Sequence, residues 1–362
     1  MQIRQAEDSG AQVKRGEYRT LALERWNQVQ HPLHGLGLLE DAVVQIAGLI
    51  QSADVRLDKK AVVVFCADNG VTAENVTQAD SSVTAVVAHY LAKGRTSVCR
   101  MACLAGVDVI PVDLGIRDFQ TEEGVLDRRI ANGSKDILYG PAMTREEALR
   151  AILTGIDLAG ELKDLGYQIL AAGEMGIGNT TTSAACCSVL LGYEPGQVTG
   201  KGAGLSDAGL AHKIVVVREA IRNNGLTWEK RSDDPSNDAD TIEVLRRVGG
   251  FDLLGMCGMY LGGLIHGIPV IIDGFVSSIA ALAAFRLCPD CADAMLASHV
   301  SSEPAARLIL DAIGKPPLIT GELHLGEGTG AVLVMPMLDM ALAVYREGYT
   351  FAEGGIEPYR PL

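Results

Sequence analysis

The sequence predicts an α/β protein in which a parallel sheet is flanked by helices in a Rossmann-like arrangement. Five short runs of apolar, mostly β-branched residues are each followed by a Gly, acidic or His residue and then by a helical pattern. Runs without polar alternation are typical of strands buried on both faces of a parallel sheet. The intervening stretches have the length of crossover helices. The five predicted strands are residues 61–67, 107–112, 168–172, 269–272 and 294–298.

The two ends of the chain differ from this pattern. The first 40 residues carry no strand signal, whereas residues 17–30 have a polar helical pattern and residues 336–347 are helical at the other end. We therefore expect two domains. They are a large α/β catalytic domain at 41–335 and a small helical domain built from 1–40 and 336–362.

Two internal stretches need a separate interpretation. Residues 223–240 are polar, acidic and rich in turn formers, which predicts a solvent loop between two helices. Residues 253–272 are uncharged over 20 positions but contain five glycines and Pro269. Such breakers favour a helix that runs into a buried strand over a membrane span.

Charge and cysteine usage exclude several classes of protein. The 362 residues include 31 basic and 45 acidic side chains, for a net charge of −14. A nucleic-acid partner is not expected, because phosphate neutralisation needs a basic surface. The charged N-terminus is unlike a signal peptide, so we expect a cytoplasmic protein with reduced cysteines and no membrane partner. Cys288 and Cys291 have CxxC spacing but lack a second ligand pair, so no metal site is predicted.

The densest chemical signal is the glycine-rich run at 173–182, which follows a strand and opens a helix. Its glycines let the backbone curl around a ligand, and its three threonines are expected to cap the helix. The first amides of that helix then form an anion site. Neither GxxxxGK[ST] nor GxGxxG is present here, which favours a single anion such as a monophosphate. The alternative is a tight turn before a capped helix.

A second glycine-rich run, at 199–207, leads to Lys213 on the next helix. Lys213 is a candidate point charge for a phosphate, and the alternative is an ordinary exposed lysine.

A third run, at 325–330, places Glu327 between two glycines ahead of an apolar helix at 331–338. A carboxylate without neighbouring side chains is suited to accept a proton from a ligand. The alternative is a glutamate that complements the helix dipole. Glu174 and Glu327 together also match the carboxylate pair of a glycoside hydrolase, which remains an alternative function. Asp68, Glu174, Asp273 and His299 all follow or end predicted strands, where ligands bind in such sheets.

Taken together, these runs resemble the nicotinate-nucleotide–dimethylbenzimidazole phosphoribosyltransferase family of cobamide synthesis. The matching runs, in the family's order, are residues 67–70, 173–181, 200–213, 248–252, 273–275, 298–303 and 325–330. The resemblance implies a large α/β domain, a small helical domain and a dimer with active sites near the subunit interface. It implies transfer of the phosphoribosyl group of nicotinate mononucleotide to an aromatic base, which yields an α-ribotide and nicotinate. No metal or other cofactor is implied.

The resemblance also implies roles for individual residues. Glu327 is expected to be the general base and Glu174 a second catalytic residue, because a carboxylate stabilises an oxocarbenium-like transition state. The residues expected to bind the nucleotide and its phosphate are Gly176, Ile177, Gly178, Asn179, Thr180, Gly202, Gly204, Lys213, Asp273 and Ser301.

The chain departs from the family pattern where the family binds its aromatic base. Asn69 replaces a usual His, residues 76–84 differ, and the N-terminal loop at 31–37 is altered. The expected base pocket comprises Asn69, Thr77, Ser81 and Leu325. The base is therefore dimethylbenzimidazole or a phenol such as p-cresol. The partner is a second copy of the chain or, in the phenol case, a homologous subunit of a heterodimer.

Overall fold

The computed structural model describes residues 9–229 and 241–359 and confirms the predicted parallel sheet. Six strands pair in the order β3-β2-β1-β4-β5-β6, and every pairing in this sheet is parallel. The strands are β1 Lys60–Ala67, β2 Val107–Gly115, β3 Leu126–Asp127, β4 Ile169–Met175, β5 Val270–Ile272 and β6 Met295–Ala297. The strand order reverses direction between β1 and β4, and ligands bind at such a switch point outside the carboxyl ends of the strands.

The absence of polar alternation in the predicted strands is explained by burial. All eight residues of β1 are buried, because β1 pairs with β2 on one side and β4 on the other, while helices cover both faces. Val63 and Phe65 contribute to the core on one face of the sheet, and Val62 and Val64 to the core on the other.

The helices form two layers around the sheet. Those described are α1 Ser9–Gln28, α2 Leu38–Ile50, α3 Ser82–Ala92, α4 Ser97–Ala105, α5 Arg145–Asp164, α6 Asn179–Leu191, α7 Pro195–Val198, α8 Asp207–Asn223, α9 Thr241–Val248, α10 Phe251–His266, α11 Phe275–Leu287, α12 Ala306–Ile313, α13 Thr329–Glu347 and α14 Phe351–Gly354.

The apolar stretch 253–272 forms α10 and β5, as predicted. Helix α10 packs against α5 with almost no space between the two backbones. A Cβ atom at Gly258 would lie 1.9 Å from the Ile152 carbonyl oxygen, and one at Gly155 would lie 2.0 Å from that of Gly255. The glycines of α10, which argued against a membrane span in the sequence, therefore allow α10 and α5 to cross closely inside the core.

The two ends of the chain come together on one side of the sheet. Helix α1 packs on α2, and α13 packs on α2 and α4. Helix α13 is continuous through Pro336, so the two helical patterns predicted at 331–338 and 336–347 belong to one helix. By length and composition α13 is apolar enough to cross a membrane, but 56% of its most apolar window is buried within the protein. The proposed domain limits at 40 and 335 fall inside α2 and α13, and the division stays a prediction.

Some elements were not predicted. Strand β3, and the separate two-stranded sheet of β7 His299–Val300 and β8 Ile319–Thr320, are each two residues long, too short to show a pattern. The loop predicted at 223–240 begins after α8, and its residues 230–240 lie outside the described part of the chain.

Candidate active site

A cleft of about 910 Å³ opens at the carboxyl ends of β4 and β5. The structure brings ten of the predicted site residues to this cleft. They are Glu174, Gly176, Ile177, Asn179, Thr180, Gly202, Asp273, Ser301, Leu325 and Glu327. Three separate glycine-rich runs therefore meet in one place, although their roles stay predictions.

The helix start behind this cleft differs from the expected capped turn. Gly178 holds the cap position of α6 with a φ of 91°, and no side chain caps the helix. The prediction that the threonines cap α6 is therefore wrong. Thr181 and Thr182 are buried, and the Thr182 hydroxyl donates to the Asn179 carbonyl oxygen within the helix. The cap glycine adds no side chain here, but the amides of Asn179 and Thr181 already bond the carbonyl oxygens of Gly176 and Gly178. Thr180, which lines the cleft, is therefore the centre of the predicted anion site.

Lys213 lies beneath this anion site. It is 1% exposed, so the alternative of an ordinary surface lysine is wrong. Its Nζ atom donates to Thr180 Oγ1 at 2.8 Å and to the Gly200 carbonyl oxygen at 3.1 Å. Burial lowers the pKa of Lys213 to about 8. The ammonium group thus links the first two glycine-rich runs.

Five further predicted residues are not among those that line the cleft: Gly178, Gly204, Asn69, Thr77 and Ser81. Asn69 has no exposed surface and lies beneath the cleft, where Thr182 Oγ1 is 3.5 Å from its Oδ1 atom. Thr77 donates its hydroxyl to the Ala79 carbonyl oxygen in its own loop. Of the four residues expected around the base, only Leu325 lines the described cleft.

Glu327 is held in an unusual backbone conformation. Gly326, Glu327 and Gly328 have φ values of 87°, 58° and 86°, so three successive residues adopt the left-handed region. A Cβ atom at Gly326 would lie 2.6 Å from Glu174 Oε1. The turn therefore lies against Glu174. The Glu327 Oε2 atom accepts a hydrogen bond at 3.1 Å from the Val98 amide in the first turn of α4.

Asp273 holds this turn in place. Its Oδ2 atom accepts from the Gly328 amide at 3.2 Å and its Oδ1 atom from the Ala331 amide at 3.0 Å. Burial raises the pKa of Asp273 to about 6. Although Asp273 was expected to bind substrate, both of its carboxylate oxygens bond the Glu327 turn and the start of α13.

One amide joins Glu174 in the wall of the cleft to Asp252, which is buried behind it. Asn179 Nδ2 donates to Glu174 Oε2 and, at 2.9 Å, to Asp252 Oδ2. Burial raises the pKa of Glu174 to about 8 and that of Asp252 to about 6. Burial therefore favours the neutral form of the Glu174 carboxyl. Asp252 was missed as a site residue, although it lies in one of the runs that matched the family.

Two further acid or base side chains line the cleft: Glu303, for which no role was predicted, and His299, which was predicted only to lie at a strand end where ligands bind. Glu303 Oε1 accepts from the Gly202 amide at 3.0 Å and fixes the second glycine-rich run. The pKa of His299 is lowered to about 4 by burial, so the ring is neutral at physiological pH. In residues 9–229 and 241–359, no three His, Cys, Asp or Glu side chains are arranged to hold a metal ion.

Comparison with known proteins gives one consistent result. A family model described as phosphoribosyltransferase (DBI_PRT) matches residues 12–356. Two proteins named nicotinate-nucleotide–dimethylbenzimidazole phosphoribosyltransferase are similar over most of the chain. The one from Ruminiclostridium cellulolyticum is 42% identical over 94% of each chain, and the one from Clostridium acetobutylicum is 40% identical, also over 94% of each. The crystal structure of CobT from Thermus thermophilus is similar with a TM-score of 0.86 and 36% identity. It covers 95% of this chain and 100% of the other.

Proposed function

The chain belongs to the phosphoribosyltransferase family, and from that premise we propose that it transfers the phosphoribosyl group of nicotinate mononucleotide to dimethylbenzimidazole. The products are an α-ribotide for cobamide synthesis and nicotinate. The observation that carries the proposal is the placement of Glu327. A left-handed turn presents its carboxylate at a cleft that Thr180, in the first turn of α6, also lines. Family membership favours transfer over the hydrolysis expected of a glycosidase.

In this mechanism one nitrogen of dimethylbenzimidazole attacks C1′ of the ribose. The bond from C1′ to the pyridinium nitrogen breaks, and its electron pair stays on the departing nicotinate. Glu327 takes the proton from the other ring nitrogen of the base. The benzimidazole ring of the product is therefore neutral. The Val98 amide keeps Glu327 oriented toward the cleft during this step.

We assign the substrate's phosphate to the first turn of α6 at Thr180 and to the neighbouring Gly202 loop. Thr180 and Gly202 line the cleft. Lys213 lies behind them and donates hydrogen bonds to the Thr180 hydroxyl and to the carbonyl oxygen of Gly200, two residues before Gly202. Backbone amides together with a nearby cation are a common way to bind a phosphate. The overall acidity of the protein therefore does not oppose binding of an anionic nucleotide.

Lys213→Met should weaken the binding of nicotinate mononucleotide at least about tenfold more than that of nicotinate riboside. Met keeps most of the buried apolar stem but removes the charge, and the riboside has no phosphate. Titration calorimetry measures both affinities. Lys201→Met is the matched control, because Lys201 lies in the same run but pairs with Asp207 at the surface. An equal loss for both ligands contradicts the role of Lys213.

We assign dimethylbenzimidazole as the base because the similar curated proteins carry that base in their names. The phenol alternative used the hydroxyl side chains of Thr77, Ser81 and Ser82 to hold a phenolic oxygen. The Thr77 hydroxyl is bonded within its own loop, and none of the three residues lines the described cleft. A competition assay with equal dimethylbenzimidazole and p-cresol tests this choice by mass spectrometry. A product mixture dominated by the phenolic ribotide would overturn it.

We also propose that the enzyme works as a dimer with a second copy or a homologous subunit. One face of α13 is apolar and exposed at Leu333, Met340 and Val344, and Met340 is 69% exposed. The adjacent helix α4 exposes Leu104 at 92%. This face begins at Leu333, six residues after Glu327, so a subunit seated on it would lie on the helix that follows the Glu327 turn.

Met340→Lys should shift this chain from dimer to monomer in analytical ultracentrifugation. A charge on the apolar face must be desolvated when the interface forms, which disfavours association. Leu165→Lys is the control, because Leu165 is 64% exposed but lies at the end of α5. A wild-type chain that is monomeric and fully active would contradict the proposal.

A further inference from the structure

A buried carboxyl beneath the cleft has no role in the mechanism above. Asp252 is the second residue of α10, and its side chain is fully excluded from solvent. It is not among the residues that line the cleft. One amide nitrogen, Asn179 Nδ2, donates to both Asp252 Oδ2 and Glu174 Oε2. The amide therefore joins a carboxyl in the interior to a carboxyl that faces the substrate.

We propose that Asp252 is a positioning residue of the transfer reaction: it orients Glu174 through the Asn179 side chain, while the charge of its own carboxylate favours the neutral form of the Glu174 carboxyl. The inference rests on the function proposed above. Asp252 does not contact the substrate in this proposal. Any effect of Asp252 on the reaction must therefore pass through Glu174.

The backbone around Asp252 makes room for a carboxyl group. A Cβ atom at Gly176 would lie 2.7 Å from Asp252 Oδ2, and one at Gly250 would lie 2.6 Å from Oδ1. Glycine at both positions therefore leaves the space that this carboxyl fills. The same Gly250 Cβ atom would lie 2.2 Å from Asn69 Oδ1, so Asn69 closes the other side. A carboxyl that only stabilised the start of α10 would not need contact with a cleft residue.

Several groups face Glu174 from the elements packed around it. They are Asp252 on α10, Asp273 after β5, Glu327 before α13, and the neutral Cys66 thiol on β1. Burial is the main cause of the raised pKa of Glu174, the three carboxyls raise it further, and the hydrogen bond from Asn179 opposes them. A protonated Glu174 reduces repulsion of a substrate that carries a phosphate and a carboxylate. It can also donate a hydrogen bond to that substrate.

The test is a ¹³C NMR titration of the full chain with labelled glutamate side chains. Glu174 is identified by the signal that is absent from the Glu174→Gln variant. Asp252→Asn keeps the size of the side chain but removes its charge, so the Glu174 midpoint should fall by about one pH unit. Asn179→Ala removes a hydrogen bond to the charged form, so the midpoint should rise. The two variants thus predict opposite shifts, which loss of folding would not produce.

The same shifts should appear in catalysis. Lys213 also has a pKa of about 8, so the profile is measured in the Lys213→Met background. There the alkaline limb of kcat/KM against pH should coincide with the Glu174 midpoint, and both should move together when Asp252→Asn is added. Asp108→Asn is the matched control. Asp108 lies at the amino end of β2, whereas the cleft opens at the carboxyl ends of the strands, and it accepts a hydrogen bond from the Tyr167 hydroxyl. An unmoved midpoint in Asp252→Asn overturns the proposal, as does a moved midpoint with an unmoved limb. If wild type makes no ribotide, the proposed function fails, and the midpoint alone decides whether Asp252 controls the Glu174 proton.

Discussion

Glu327→Gln should lower kcat by about 100-fold or more while leaving the affinity for nicotinate mononucleotide nearly unchanged. Glutamine keeps the size of the side chain and an oxygen that accepts from the Val98 amide. It cannot accept the proton released by the attacking base. Initial rates of ribotide formation, together with calorimetry of nucleotide binding, separate the two effects.

The matched control for this prediction is Glu322→Gln. Glu322 also has a left-handed backbone, with a φ of 53° against 58° for Glu327, but it is exposed in the preceding loop. The control should retain wild-type kcat. A Glu327→Gln enzyme that turned over at the wild-type rate would remove Glu327 from the role of general base.

Asp273→Ala should lower kcat by about 100-fold and destabilise the protein by about 3 kcal/mol. The change leaves the buried amides of Gly328 and Ala331 without their acceptor. The turn that carries Glu327 then loses its attachment, and small displacements of a catalytic group cost large factors in rate. Steady-state kinetics and thermal unfolding measure the two consequences.

Asp273→Asn separates the geometric effect from the charge. Asparagine retains one acceptor oxygen. The kcat and the stability of Asp273→Asn should therefore lie between those of wild type and Asp273→Ala. If Asp273→Ala kept the wild-type kcat, Asp273 would not be what positions the Glu327 turn.

Much of the sheet was predictable because its signal is local. The run at 61–67 is uniformly apolar, and the structure buries it between two strands and two helical layers. The strands near 107, 169, 270 and 295 were predicted from similar short apolar runs, although Asp108 of β2 is exposed and β6 lies at the edge of the sheet. Two-residue strands such as Leu126–Asp127 carry no pattern of their own, since their pairing depends on a neighbour already in place.

The candidate site was only partly predictable, because its inner wall depends on long-range packing. Asn179 bonds Asp252, which lies 73 positions later in the chain. The contact between Glu327 and the Val98 amide spans 229 positions. The glycine-rich runs indicated Glu174 and Glu327, but no local pattern could place Asp252 beneath them.

One sequence interpretation did not match the structure, because it assigned a helix cap to polar side chains from their position alone. The cap position of α6 is Gly178, and Thr181 and Thr182 are buried in the protein. Asn69 is completely buried beneath the cleft, and its role in the base pocket stays a prediction.

The most direct test of the account is the product analysis of one reaction. The purified chain is incubated with nicotinate mononucleotide and dimethylbenzimidazole, and products are quantified by mass spectrometry and NMR. We expect one nicotinate for each α-ribotide formed, with no ribose 5-phosphate. Nicotinate released together with free ribose 5-phosphate, or no consumption of the nucleotide at all, would contradict the proposed transfer.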